Sequence, residues 1–492
     1  MDLIDIIIFI IYLSGIVIFG SSFYRRNKSS EAFTLGNRKI PTWVISMSVF
    51  ATFVSSISYL ALPGQAYQSD WNPFVFSLSI PFASWMAIRF FVPLYRSVNS
   101  PSAYTYLERR FGPWAKIYAS AMYLLTQLMR TGTILFLLAL TLNVIIGWDM
   151  VTIIIITGIS VMIYSMLGGI QAVLWTDAIQ GMILITGALV CAIVILFSMP
   201  EGPRQLFQIA ADNNKFSLGS FKFDVTESTF WVVLIYGIFI NLQNFGIDQN
   251  YIQRYMTASS EKEAKKSALY GGLLYIPVSL LFLFIGTSLF SYFSANPGLL
   301  PDGIQSDRVF PLFIVNNLPA GITGLLIASV FAAGMSTIST SINSSATVIL
   351  NDYFKKSLKE KSGKKPMIIL YSSSFLFSII SILTAIAMIN VQSALDTWWK
   401  LASIFSGGML GLFLLGFFSR MKNNSAAITG VISGLLVIGW MSLSPIVLKG
   451  TGLENYASSY HSYLSIVFGT TVIFLTGFLI GLILKPKATL KP

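Results

Sequence analysis

Runs of about twenty apolar residues recur from one end of this chain to the other, each long enough to carry an α-helix across roughly 30 Å of hydrocarbon. Of the 492 residues, 54% are apolar and only 11% charged, with a mean hydropathy of +0.72. A soluble domain carries about a quarter charged residues, so this chain cannot dress a water-facing surface. It is expected to be an all-α polytopic membrane protein whose partner is membrane lipid.

Hydrophobic windows place about thirteen spans, at 3–22, 42–68, 72–96, 114–146, 149–167, 173–198, 228–256, 266–293, 309–350 (its second half crossing), 367–390, 393–418, 424–448 and 460–484. The first is not a cleavable signal. Asp2 and Asp5 precede it and Arg25, Arg26 and Lys28 follow it, the reverse of a signal's polarity. Read as a retained helix with its N-terminus outside, it makes every odd-to-even connection cytoplasmic, and those should be basic, as all are but the short one around Leu167 to Thr176, which has no lysine or arginine. They carry Arg25, Arg26, Lys28, Arg38 and Lys39; Arg96, Arg109, Arg110 and Lys116; Arg254, Lys262, Lys265 and Lys266; Lys355, Lys356, Lys359, Lys361, Lys364 and Lys365; Arg420 and Lys422; and Lys485, Lys487 and Lys491. That is most of the 32 lysines and arginines, and the outer connections hold only Arg204, Lys215, Lys222, Arg308 and Lys449. The C-terminus then lies in the cytoplasm.

The net charge of +12 is spread between spans rather than gathered on one face, so no nucleic-acid partner is expected. One cysteine, Cys191, and one histidine, His461, exclude disulfides and Cys/His metal clusters. A polytopic membrane enzyme would lack most acid, base and metal options, and a receptor would need an output domain that no loop here is long enough to supply.

Polar residues at membrane depth carry the functional information. The second span, SVFATFVSSISYLALPG, holds Ser55, Ser56, Ser58, Pro63 and Gly64. It is either a proline kink with back-bonded serines or a discontinuous helix whose freed carbonyls and hydroxyls bind ion and substrate. The seventh, GIFINLQNFGIDQN, carries Asn241, Gln243, Asn244, Gly246 and Asp248, an interhelical hydrogen-bond cluster or a second broken helix. Five spans separate the two, the spacing of a five-plus-five inverted repeat. The ninth, VFAAGMSTISTSINSS, sets Ser336, Ser339 and Asn343 on one face and Thr337, Thr340 and Ser344 on the next. These are hard oxygen ligands for a hard cation or ordinary small-residue packing. Arg130, near the bilayer midplane, faces an aqueous cavity by default. Its fork suits a carboxylate, and the alternative is a structural pair with a helix-end carbonyl or Asp248. Arg89 and Lys400 are expected to snorkel. In GGIQAVLWTDAIQG, Asp177 reads as a helix cap or an ion ligand.

With these segments in this order, the chain resembles the sodium:solute symporter family over nearly its whole length, GGIQAVLWTDAIQ being the most specific run. The resemblance implies a leucine-transporter-type fold as a single transporter domain: an extra N-terminal helix (3–22), inverted repeats at 42–198 and 228–418, and two C-terminal helices (424–484). It implies a main sodium site from the carbonyls of Ala51, Val54 and Ala333 with the hydroxyls of Ser336 and Thr337. A second sodium site would use Asp177, Ser336, Ser339 and Thr340, giving one or two coupling Na+ ions and no organic cofactor. The run SVFATFVSSISYLALPGQAYQSDW with Arg130 is most similar to the bacterial sodium/sialic acid symporters. Phe53, Ser55 and Ser58 would then meet a small anionic sugar and Arg130 its carboxylate, with Ser77 and Ser79 the polar groups available from the third span. The expected function is sodium-coupled import of sialic acid by alternating access at the bacterial inner membrane, with no oligomer required. Proline, pantothenate, a monocarboxylate or a neutral sugar are the family alternatives, and two Na+ with one monoanion would move one net positive charge.

Overall fold

The computed structural model describes residues 2–301, 303–355, 364–389, 394–419 and 423–484, which form helices joined by loops, with no strand among them. Lys356, Lys359, Lys361, Arg420, Lys422, Lys485, Lys487 and Lys491 lie outside the described residues, as does the side chain of Lys400. Among the described residues, eleven helices are long and apolar enough to cross a bilayer, or twelve if the bent pair Thr42–Phe53 and Ile57–Gln68 is one span.

The expected thirteen spans include two, 149–167 and 173–198, that fall within the unbroken stretch Met150–Phe197, where two helices meet across a kink at Gly169. Its φ of 57° and ψ of −160° are open to glycine and strained for any side chain. The stretch 309–350 divides as well, into a short helix, Ser306–Asn317, and a crossing helix, Ile322–Val348.

Burial orders the helices from centre to rim. The most apolar window of Ile322–Phe354 is 89% buried, that of the N-terminal helix only 22%. The serine-rich helix is therefore the axis of the molecule, and Leu3–Ser22 lies against the outside with Ile11 and Ile18 turned outward. Large exposed side chains such as Leu383, Leu436 and Ile446 are a liability in water and match a lipid surroundings.

Small residues let the helices approach where lipid supplies no hydrophobic drive. A Cβ added to Gly430 would stand 2.7 Å from the carbonyl oxygen of Ile473, and one at Gly434 would strike the Ile473 side chain. The glycines of the two C-terminal helices, Asn424–Val447 and Leu464–Ile483, thus close a contact within one chain.

Candidate functional site

The second span is broken, and not where its proline sits. Thr42–Phe53 ends at Val54, whose φ of −79° and ψ of 122° are extended, and the helix restarts at Ser56. Pro63 lies within the second piece, in Leu62–Gln68. It cannot donate a backbone hydrogen bond, and a wide turn over Ile57–Ala61 precedes it and absorbs the defect. A helix that stops leaves its last carbonyls without partners. Here three are met from other helices: Ser336 Oγ donates to Ala51 O at 3.0 Å, Arg130 Nη2 to Thr52 O at 2.7 Å, and Thr337 Oγ1 to Val54 O at 3.4 Å.

Ala333 O also receives both hydroxyls, at 3.1 and 3.3 Å, so the five oxygens expected for the main sodium site stand together. All are neutral. Around a hard cation held at about 2.3–2.6 Å, adjacent oxygens of an octahedral shell sit about 3.3–3.7 Å apart. The observed 3.0–3.4 Å spacings lie within a few tenths of an ångström of that. Neutral oxygens of this kind are the ligand type that a hard cation of low charge takes.

The seventh span breaks in the same way. Phe230–Ile247 gives way to Gln249–Thr257 at Asp248, with φ −75° and ψ 126°. The Asp248 carboxylate caps the second piece by accepting from Asn250 N at 2.7 Å. Between the two breaks lies a cavity of about 70 Å³ lined by Phe53, Ser55, Ser58 and Arg130, the four residues expected to meet substrate. Gln127, Gln243, Asn244 and Asp248 add polar groups, and Gln243 Oε1 is buried with no partner among the described residues. Asn241 instead binds Ser79 Oγ at 2.8 Å, and Ser77 meets Ser279, so these three serve packing and do not line the cavity. Arg130 realises both readings of its sequence position, since it holds a helix-end carbonyl and faces the cavity. Aromatic rings close over the space: Phe53 lies 4.3 Å from Tyr275 and stacks on Phe245 at 5.5 Å.

The model of the sodium:solute symporter family matches residues 33–434. The chain belongs to that family. It is 32% identical over 475 residues to the sodium/sialic acid symporter NanT of Aliivibrio fischeri, covering 95% of this chain and 91% of that one. It is 34% identical over 432 residues to the sodium/sialic acid symporter SiaT of Proteus mirabilis, covering 87% of each. A solved structure of a Na+-coupled sialic acid symporter, substrate-bound and outward-open, superposes with a TM-score of 0.90 at 30% identity, covering 99% and 100% of the two chains. Mhp1, a nucleobase-cation-symport-1 transporter, shares the fold alone, at a TM-score of 0.55 and 15% identity. The chain is thus a multi-pass transporter, and sodium is its coupling ion.

In this symporter Asp177 is no helix cap, because the run Met150–Phe197 continues through it. Its Oδ2 accepts from Ser48 Oγ at 2.6 Å and from Arg254 Nη2 at 2.7 Å, and both members of the ion pair are fully buried. Arg254 was expected in a cytoplasmic connection. It lies instead on Gln249–Thr257, a helix buried along its whole length, where its guanidinium also reaches Ser48 Oγ, Asn250 O and Thr340 Oγ1. Thr340 Oγ1 comes within 3.5 Å of the Asp177 carboxylate, while Ser339 donates to Ser336 O. Asp177 Oδ1 is buried without a partner among the described residues. Arg254 holds the other oxygen of the carboxylate. A count of basic residues hides Arg254. The signal was its setting, a polar stretch directly after a broken apolar span.

Proposed function

We propose that this symporter carries sialic acid into the bacterial cell across the inner membrane, driven by sodium, with its N-terminus outside and C-terminus in the cytoplasm. The observation that carries the reading is Arg130, a guanidinium at depth opening into a cavity that also meets both helix breaks. A planar fork of five donors suits a carboxylate. Gln243, Asn244, Ser58 and Asp248 offer acceptors and donors for the hydroxyls and the amide of a polyhydroxylated sugar acid.

Alternating access follows from the two breaks, in repeats that we place at 42–198 and 228–418. Sodium between the Ala51 and Val54 carbonyls and the Ser336 and Thr337 hydroxyls ties the broken second span to the central helix and orders the residues that receive substrate. At about 70 Å³ the cavity has room for a few waters rather than a nine-carbon sugar acid. Substrate therefore enters only when the Phe53 aromatic cluster opens. Sodium drives the cycle only by binding the two orientations unequally. The second ion would sit at Asp177 with Ser336, Ser339 and Thr340 around it.

The test is uptake of radiolabelled N-acetylneuraminate into proteoliposomes, with and without an inward sodium gradient. Accumulation only with the gradient supports the reading. Correctly folded and inserted protein that accumulates none under any gradient overturns the substrate assignment.

A further inference from the structure

We infer that Gln127 is the positioning residue that couples sodium to substrate, its side-chain amide joining the three parts of the molecule that must move together. The inference rests on the transport reading above and adds the link between its two sites.

Gln127 is fully buried on Pro113–Ile146, three residues before Arg130, so the two lie on one face and both line the cavity. Its Nε2 donates to Asp248 Oδ2 at 3.2 Å, at the break of the seventh span. An ionised carboxylate only accepts, which fixes the amide's orientation and leaves Oε1 to accept. Oε1 takes Asn250 Nδ2 at 2.9 Å, on the inner half of the seventh span, and Ser341 Oγ at 2.9 Å, on the serine-rich helix. Ser341 lies four residues beyond Thr337, one turn below a sodium ligand on the same helix face. Asn250 is fixed in turn by Tyr123, whose hydroxyl donates to Asn250 Oδ1 at 2.7 Å.

One planar amide therefore contacts the helix that holds sodium, the break beside the substrate and the inner half-helix below it. Apart from Asp248, which is nearly so, every group in the set is fully buried, and Ser341 and Asn250 do not line the cavity, so when displaced from Gln127 they meet no water there and a shift at one end is felt at the others. Sodium drawing Thr337 toward the second span sets the height of Ser341. Ser341 sets Gln127, and Gln127 sets the carboxylate and half-helix that close the substrate site. By linkage, substrate must tighten sodium by the same factor.

Ser341→Ala cuts only the arm to the sodium helix and leaves Gln127, Asp248 and Asn250 in place. Gln127→Met cuts all three at similar volume. Hydrogen–deuterium exchange is measured with and without sodium, in the absence of substrate. In the wild type, sodium is expected to slow exchange in peptides covering 248–257 as well as 333–341. In Ser341→Ala the slowing at 333–341 persists and that at 248–257 is lost. Slowing at 248–257 equal to wild type in Ser341→Ala overturns the inference, whatever the substrate proves to be. The second readout is the ratio of N-acetylneuraminate dissociation constants at low and at saturating sodium. A wild-type ratio in the usual coupling range, about 5–150-fold, should fall toward one in both variants, with affinity at saturating sodium changed least in Ser341→Ala. A ratio equal to wild type in both variants also overturns it. A wild type that fails to bind the sugar refutes the substrate assignment and leaves the exchange experiment to decide the coupling.

Discussion

Removing Arg254 should cost this protein more stability than removing both members of its ion pair. Arg254 and Asp177 meet at 2.7 Å with neither side chain exposed. Breaking a buried pair by truncating one partner costs about 3–5 kcal/mol, because the remaining charge keeps its desolvation penalty and loses its compensation. The two halves of this pair are not left equally bare. Without Asp177 the guanidinium still donates to Ser48 Oγ, Asn250 O and Thr340 Oγ1, three acceptors at fixed positions. Without Arg254 the carboxylate keeps the hydroxyls of Ser48 and Thr340, while Oδ1 remains unpartnered. Arg254→Gln should therefore fall at about 3–5 kcal/mol and Asp177→Asn at about 2 kcal/mol. The double variant, neutral and still able to hydrogen-bond, should recover about 2–3 kcal/mol of the summed loss, the coupling expected of groups in direct contact. The assay is thermal unfolding of the purified protein followed by intrinsic fluorescence, in choline rather than sodium buffer, because a bound ion raises apparent stability by mass action. The expected order of melting temperature is wild type, Asp177→Asn, then Arg254→Gln, with the double variant above Arg254→Gln. Additive losses, with the double variant least stable of the four, would refute the pair as the source of the energy.

Arg130→Lys keeps the charge and loses the fork, whereas Arg130→Gln loses both; the lost interaction with a substrate carboxylate is worth about 2–5 kcal/mol, so Arg130→Gln should weaken binding by about 30-fold or more, with Arg130→Lys between it and wild type, as read by N-acetylneuraminate titration. Thr337→Ala removes one of two hydroxyls at the main sodium site and should raise the sodium concentration for half-maximal uptake several-fold, with little change in maximal rate at saturating sodium. Two sodium ions with one monoanion move one net positive charge, worth about 2.3 kcal/mol per 100 mV; uptake should rise when the vesicle interior is made negative, and uptake indifferent to voltage would exclude that stoichiometry.

The fold was legible because lipid imposes a simple grammar on length and polarity, and the two breaks announced themselves as polar clusters inside apolar runs. The location of the first break was less so. Proline and glycine draw attention to Pro63 and Gly64, yet the helix stops at Val54 and Ser55, where Ser336, Thr337 and Arg130 supply partners for the freed carbonyls. That stop is decided by residues some eighty and nearly three hundred positions away, which no local propensity can report. Asp177 and Arg254 show the same limit. Each has a sound local interpretation, as cap and as loop charge, and both fail because the two residues meet only in the folded molecule. The serine-rich helix was read as two neighbouring faces, Ser336, Ser339 and Asn343 beside Thr337, Thr340 and Ser344, but Ser341, outside both, is fully buried too, so its hydroxyls serve different neighbours on more than those sides.

Phe53 lies between Ala51 and Val54, whose carbonyls accept from Ser336 and Thr337 at the proposed main sodium site, while its own ring packs with Phe245 and Tyr275 over the cavity. The size of solute admitted and the grip on the ion are consequently written into the same short piece of backbone. An inhibitor bulky enough to wedge that ring aside would be felt as a change in ion affinity before it was felt as competition. Descent toward a larger or smaller cargo would have to retune both properties at once, which restricts the routes by which a relative of this protein can acquire a new solute.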